Sequence, residues 1–216
     1  ADTPDLSATT SLAGMFNGAS SLNVDISDWD TTAVTEMTSM FQGATSFNQA
    51  LTTTDGGWDT SNVTDMSYMF YGATGFNSDV SSWDTRKVES MSSMFGFSGF
   101  NQPLETTSGG WDTRAATNLS EMFAYSAFNQ SVASWDTESV TNFGNMFKQN
   151  TAYNQSMPTT SGGWDTRSAL SLSGMFDGAT AFNQSVASWD TSAVTFMSAM
   201  FNGATAYNQP MPATPG

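Results

Sequence analysis

The chain of 216 residues is 38% hydrophobic, with seven Trp and sixteen Phe, too apolar and aromatic for a disordered polymer. Its 20 acidic and 5 basic residues give a net charge of −15, which argues against nucleic acid or an anionic membrane as a partner held by charge, since both need clustered Lys and Arg. With no Cys and no His, disulfides, thiolate metal sites, Cys nucleophiles and the usual general base are excluded, and no apolar run approaches the roughly 18 residues of a membrane-spanning helix.

In chain order, the opening "ADTPDL" is compatible with a segment left by removal of a secretory signal, and it already sits in repeat register, with Asp5 in the column of Asp residues described next. A Met-Phe pair then recurs with its Met at 15, 40, 69, 94, 122, 146, 175 and 200, at spacings of 25, 29, 25, 28, 24, 29 and 25. Trp-Asp-Thr keeps the same beat from Trp29 to Trp189. The whole chain, 1–216, therefore reads as a single repeat domain of eight units that alternate in length. The extra length always falls where "LTTTDGGW", "LETTSGGW" and "MPTTSGGW" replace "VSSW" or "VASW". An insertion locked to one position predicts loops on one edge of a stack, at Thr52 to Gly57, Thr106 to Gly110 and Thr159 to Gly163.

Within each unit, "VTEMTSMFQGA" (34–44) predicts a short helix. Thr35 would be its N-cap and Gly43 its stop, with Met37, Met40 and Phe41 on one face. So short a helix needs a partner, and the β-compatible "FNxxVxxW" segment is the natural one. Parallel pairing of those segments predicts an α/β solenoid of eight leucine-rich-repeat-like units, each a short parallel strand plus a short helix.

Three columns, the long loops and the sequons carry the functional expectations. The Asn column, from Asn23 after Leu22 through the Asn after each later aromatic to Asn208, is expected to form an inward ladder satisfying backbone groups, and the Trp column to pack in or near the core. The Asp column (Asp30, Asp59, Asp84, Asp112, Asp136, Asp165, Asp190) has two readings. Either each carboxylate caps the following turn, or the column is a weak metal site for Ca²⁺. A carboxylate repeated in every unit is a scaffold feature and not a catalytic pair, so no catalytic residue and no organic cofactor is expected. Thr52, Thr53, Thr54, Asp55, Thr106, Thr107, Thr159 and Thr160 in the long loops are the partner-binding candidates. Among five Asn-x-Ser/Thr sequons, Asn62 and Asn118 are the N-glycosylation candidates, because Asn129, Asn154 and Asn183 belong to the ladder, where burial would block a glycan.

The signature "FNQxxxxWDTSxVTxMSxMFxGA", nearly whole at 47–73 and 182–204, resembles the bacterial surface protein repeat DUF285, similar in layout to BspA-like leucine-rich repeats. The resemblance covers essentially the whole chain and implies a secreted or surface-exposed module for adhesion, with no enzymatic residues. The expected function is an extracellular structural or adhesive scaffold, meeting other copies or surface macromolecules and able to assemble end to end into a filament. The alternative is a module binding glycans or another ligand on the Thr/Gly-rich loops.

Overall fold

The computed structural model describes residues 3–52, 57–106 and 110–211. The α/β solenoid of strands and helices expected from the sequence does not form. Among the described residues there is no helix and no strand, and regular pairing is limited to isolated parallel bridges. The bridges link one residue of each unit to its counterpart in the next, from Ser11↔Glu36 and Glu36↔Asp65 to Ser171↔Phe196. The chain is a stack of eight coils, each lying against its sequence neighbours.

Backbone dihedrals explain why the helix fails. In every coil the residue before the Met-Phe pair has positive φ: Gly14, Ser39, Tyr68, Ser93, Glu121, Asn145, Gly174 and Ala199. The residue two beyond the Phe does too: Gly18, Gly43, Gly72, Phe97, Tyr125, Gln149, Gly178 and Gly203. A left-handed residue every fourth position cannot sit in a right-handed helix. Instead the segment folds as successive tight turns. In the second coil Met40 N–H donates to Met37 O, Gln42 to Ser39 O and Ala44 to Phe41 O. Positive φ at the third residue of the first and last of these turns is the type II geometry.

The remaining N–H groups alternate with these and point to the next coil. Met37 donates to Asp65 O, Ser39 to Ser67 O, Phe41 to Met69 O and Gly43 to Tyr71 O. Alternation of local and intercoil bonds gives each N–H of the segment from Met40 to Ala44 a partner without a helix or a strand.

The core is a set of aromatic columns. The Met-Phe phenyl rings stack from Phe16 through Phe201 with centroids 5.3 to 5.9 Å apart between adjacent coils. Each inner ring also lies against the aromatic that precedes the ladder Asn of its own coil, as in Phe70–Phe76 at 3.7 Å. Trp58, Trp83, Trp111, Trp135 and Trp164 are fully buried, so the core expectation for the Trp column holds in these coils, while Trp29 is only partly buried.

One strained position gives a stability test. Ser93 is fully buried at φ 56°, and its hydroxyl has no hydrogen-bond partner among the described residues. Gly14 and Gly174 occupy the same place in other coils. Ser93→Gly relieves about 1–2 kcal/mol of left-handed strain and removes an orphan buried hydroxyl, against about 0.5–1 kcal/mol of extra unfolded-chain entropy. A gain of about 1 kcal/mol is expected in chemical denaturation; a loss of stability would contradict this reading.

Candidate functional site

The repeated polar columns are the first place to look for a site, and the fold assigns each of them a structural task. In all seven Trp-Asp-Thr motifs the Asp Oδ1 accepts from the backbone N–H two residues on: Thr32, Ser61, Arg86, Arg114, Glu138, Arg167 and Ser192, at 2.7 to 3.2 Å. This is the turn-capping arrangement. Hydrogen bonds from Thr32 hold the Asp30 carboxyl below its usual range, and the Arg86 side chain does the same for Asp84. Arg86, Arg114 and Arg167 reach back to Asp84, Asp112 and Asp165 as ion pairs. As for the Ca²⁺ reading, the described residues contain no group of three or more acidic side chains placed to hold a metal ion.

The Thr of the motif has a role that the sequence reading did not assign. Thr31, Thr60, Thr85, Thr113, Thr137 and Thr166 donate their hydroxyls to the backbone carbonyl of the Asp in the next coil, at 2.7 to 3.1 Å. Thr31, Thr85 and Thr137 also accept from that Asp N–H. The unvarying Thr after every Asp was the available signal.

The Asn column is a ladder, but it runs along the surface. Asn23 Oδ1 accepts from Asn48 N–H, and the pattern repeats through Asn77, Asn101, Asn129, Asn154 and Asn183 to Asn208, at 2.8 to 3.0 Å. Each ladder Asn is exposed or half-buried, which corrects the expectation of an inward column. It also removes burial as a bar to glycans on Asn129, Asn154 and Asn183. The following Gln reinforces several rungs, as when Gln155 Nε2 donates to Asn129 O and Oδ1. These side-chain bonds take up the N–H groups that a parallel strand would use, which is why the expected strand does not form.

Of the glycosylation candidates, Asn62 is exposed, donates Nδ2 to Thr32 O and accepts from Lys87 Nζ. Asn118 is half-buried and caps Ser120 N–H. Of the loop candidates, Thr53, Thr54, Asp55 and Thr107 lie outside the described residues, and Thr52 and Thr160 are exposed. Thr106 and Thr159 are tied to the next coil. Each donates its hydroxyl to the carbonyl of Ser134 or Ser188 and its N–H to the hydroxyl of the same Ser.

No helix is long and apolar enough to cross a membrane among the described residues. A family model described as "Mycoplasma protein of unknown function, DUF285" matches the chain in three overlapping stretches, residues 1–107, 55–160 and 97–214. No curated protein and no solved structure matches.

Proposed function

The chain belongs to the DUF285 family, and from that premise we propose that it is an extracellular or cell-surface structural protein that works through protein–protein contacts between stacked coils. The observation that carries this reading is where the polar side chains spend their bonds. Asp caps its own turn, while Thr and Asn serve the neighbouring coil, so the repeated chemistry is that of coil-to-coil contact. The surface placement and the kinship with BspA-like repeats belong to the same proposal and rest on the resemblance in sequence.

The two outer coils present matching halves of that contact. In the eighth, the N–H groups of Met197, Ala199, Phe201 and Gly203 find, among the described residues, none of the acceptors that their counterparts meet in every earlier coil. In the first, no N–H among the described residues donates to Ser11 O or Met15 O, the carbonyls that match Glu36 O and Met40 O. Core positions that are buried in the inner coils open at both ends, where Met15 is 47% exposed and Met197 and Phe201 are only half-buried. Exposed apolar surface of this kind favours a partner, and another coil of the same design fits, whether from a second copy or from further repeats. A head-to-tail contact of this sort is heterologous and propagates as a filament when it does not close.

The 216-residue protein should sediment as a concentration-dependent series of species, with elongated particles by electron microscopy, and Phe201→Asp should shift it to the monomer. A monomer at every soluble concentration would overturn end-to-end assembly. Glycan binding through the long loops is the weaker reading, because Thr106 and Thr159 already commit their hydroxyls within the stack.

A further inference from the structure

The repeat is broken at one corner of the third, fourth and fifth coils. The left-handed position two after the Met-Phe Phe is Gly in five coils and Gln149 in another, but it is Phe97 in the fourth coil and Tyr125 in the fifth. In the third, Tyr68 fills the left-handed position that Gly14 and Gly174 hold elsewhere, and Tyr71 follows Phe70. The four rings form one row. Centroids lie 5.6 Å apart for Tyr68–Tyr71, 5.2 Å for Tyr71–Phe97 and 4.3 Å for Phe97–Tyr125, the last pair nearly parallel. Gly96 makes room for the row, since a Cβ there would stand 3.0 Å from Tyr71 Cδ2.

Core packing does not account for these residues. Tyr68, Phe97 and Tyr125 are 39%, 41% and 44% exposed, yet each is a bulky residue held at positive φ. The turn requires positive φ at these places in every coil, but the other coils meet it with Gly, Ser, Ala, Asn, Glu or Gln, so the coil itself does not call for large rings there. Glu121 stands beside the row, half-buried and without a salt bridge among the described residues. Burial and then the Glu121 charge hold the Tyr71 phenol above its ordinary value. The basic side chains are engaged elsewhere: Arg86, Arg114, Arg167 and Lys148 with carboxylates, and Lys87 with Asn62.

We propose that the aromatic row Tyr68–Tyr71–Phe97–Tyr125, with Glu121 at its side, is a docking surface for a basic segment of a partner protein, whose Arg or Lys side chains lie over the rings. Cations are attracted to aromatic faces, and Arg in particular stacks flat on them. The charge of −15 draws such a segment in, and Glu121 supplies a counter-charge at the point of contact. A neutral polysaccharide would use the rings but give the carboxylate no electrostatic role. This inference rests on the protein-contact reading above and names the chemistry of one partner.

The test uses the whole chain and a blocked peptide of four Arg-Gly repeats, with a Gln-Gly peptide as the neutral control. Titration should shift the aromatic NMR resonances of Tyr68, Tyr71, Phe97 and Tyr125 with the Arg peptide and not with the control. The triple variant Tyr68→Gly, Phe97→Gly, Tyr125→Gly gives each position the residue that other coils carry, so it should melt no lower than the parent while binding the peptide roughly tenfold more weakly. Glu121→Gln should weaken binding roughly threefold. Peptide affinity unchanged in the triple variant would overturn the proposal by showing only diffuse charge attraction. So would a neutral oligosaccharide that shifts the same rings with equal affinity for Glu121→Gln. The triple variant should sediment as the parent does, so a failure at the row and a failure of end-to-end assembly appear in different measurements.

Discussion

Replacing Phe70 by Ala should destabilise the protein by about 3–5 kcal/mol, the cost of truncating a fully packed aromatic in a core. Phe70 is completely buried. It stacks on Phe76 at 3.7 Å and lies between Phe41 at 5.3 Å and Phe95 at 5.8 Å. Rings on three sides and backbone bonds to the next coil leave little room for collapse into the space. Phe176→Ala, with Phe182 at 3.8 Å and Phe147 and Phe201 on either side, should cost a similar amount. Equilibrium denaturation reads both. A change below 1 kcal/mol in either would mean that the ring columns are not the core.

The Trp column offers a second large effect and an internal control. Trp135 is fully buried and donates Nε1 to Leu104 O at 2.6 Å, as Trp83 does to Leu51 O and Trp189 to Met157 O. Trp58, Trp111 and Trp164, which follow the longer insertions, bury the same N–H with no acceptor among the described residues. Trp135→Ala should cost about 3–5 kcal/mol. Trp135→Phe keeps much of the bulk but strands a buried carbonyl, adding about 1–3 kcal/mol that Trp164→Phe does not incur, because the Trp164 indole has no such bond among the described residues. Equal losses in the two Phe variants would show that the indole hydrogen bond contributes nothing.

Much of the design was legible in the sequence, and the misreading has a specific cause. The Met-Phe beat, the buried Trp column and the Asp caps all follow from spacing and residue chemistry, and they appear where expected. The helix over 34–44 does not. Met37, Met40, Phe41 and Ala44 are all buried, and consecutive tight turns return side chains to one side at nearly the helical interval. Apolar period alone therefore cannot separate a turn coil from a helix. Gly14-Met-Phe-Asn-Gly18 and Gly174-Met-Phe-Asp-Gly178 carried the discriminating signal. Two glycines four apart would cost a helix about 1 kcal/mol each, but they suit a chain that needs positive φ at those two places. The strand failed because the Asn after each aromatic satisfies the next coil with its side chain, a pairing that β propensity does not see. The aromatic row was hidden for a different reason. Its residues are far apart in the sequence, and only stacking brings Tyr71, Phe97 and Tyr125 of three different coils together.

The most direct test of the coil stack is NMR scalar coupling across hydrogen bonds, which reports which carbonyl each N–H donates to. The structure requires couplings from Tyr68 N to the carbonyl carbon of Ser92, from Phe70 N to that of Met94 and from Gly72 N to that of Gly96, with Met69 N and Tyr71 N coupled locally to Met66 and Tyr68. Couplings from Phe70 N to Met66 and from Met69 N to Asp65, the four-residue pattern of a helix, would contradict it.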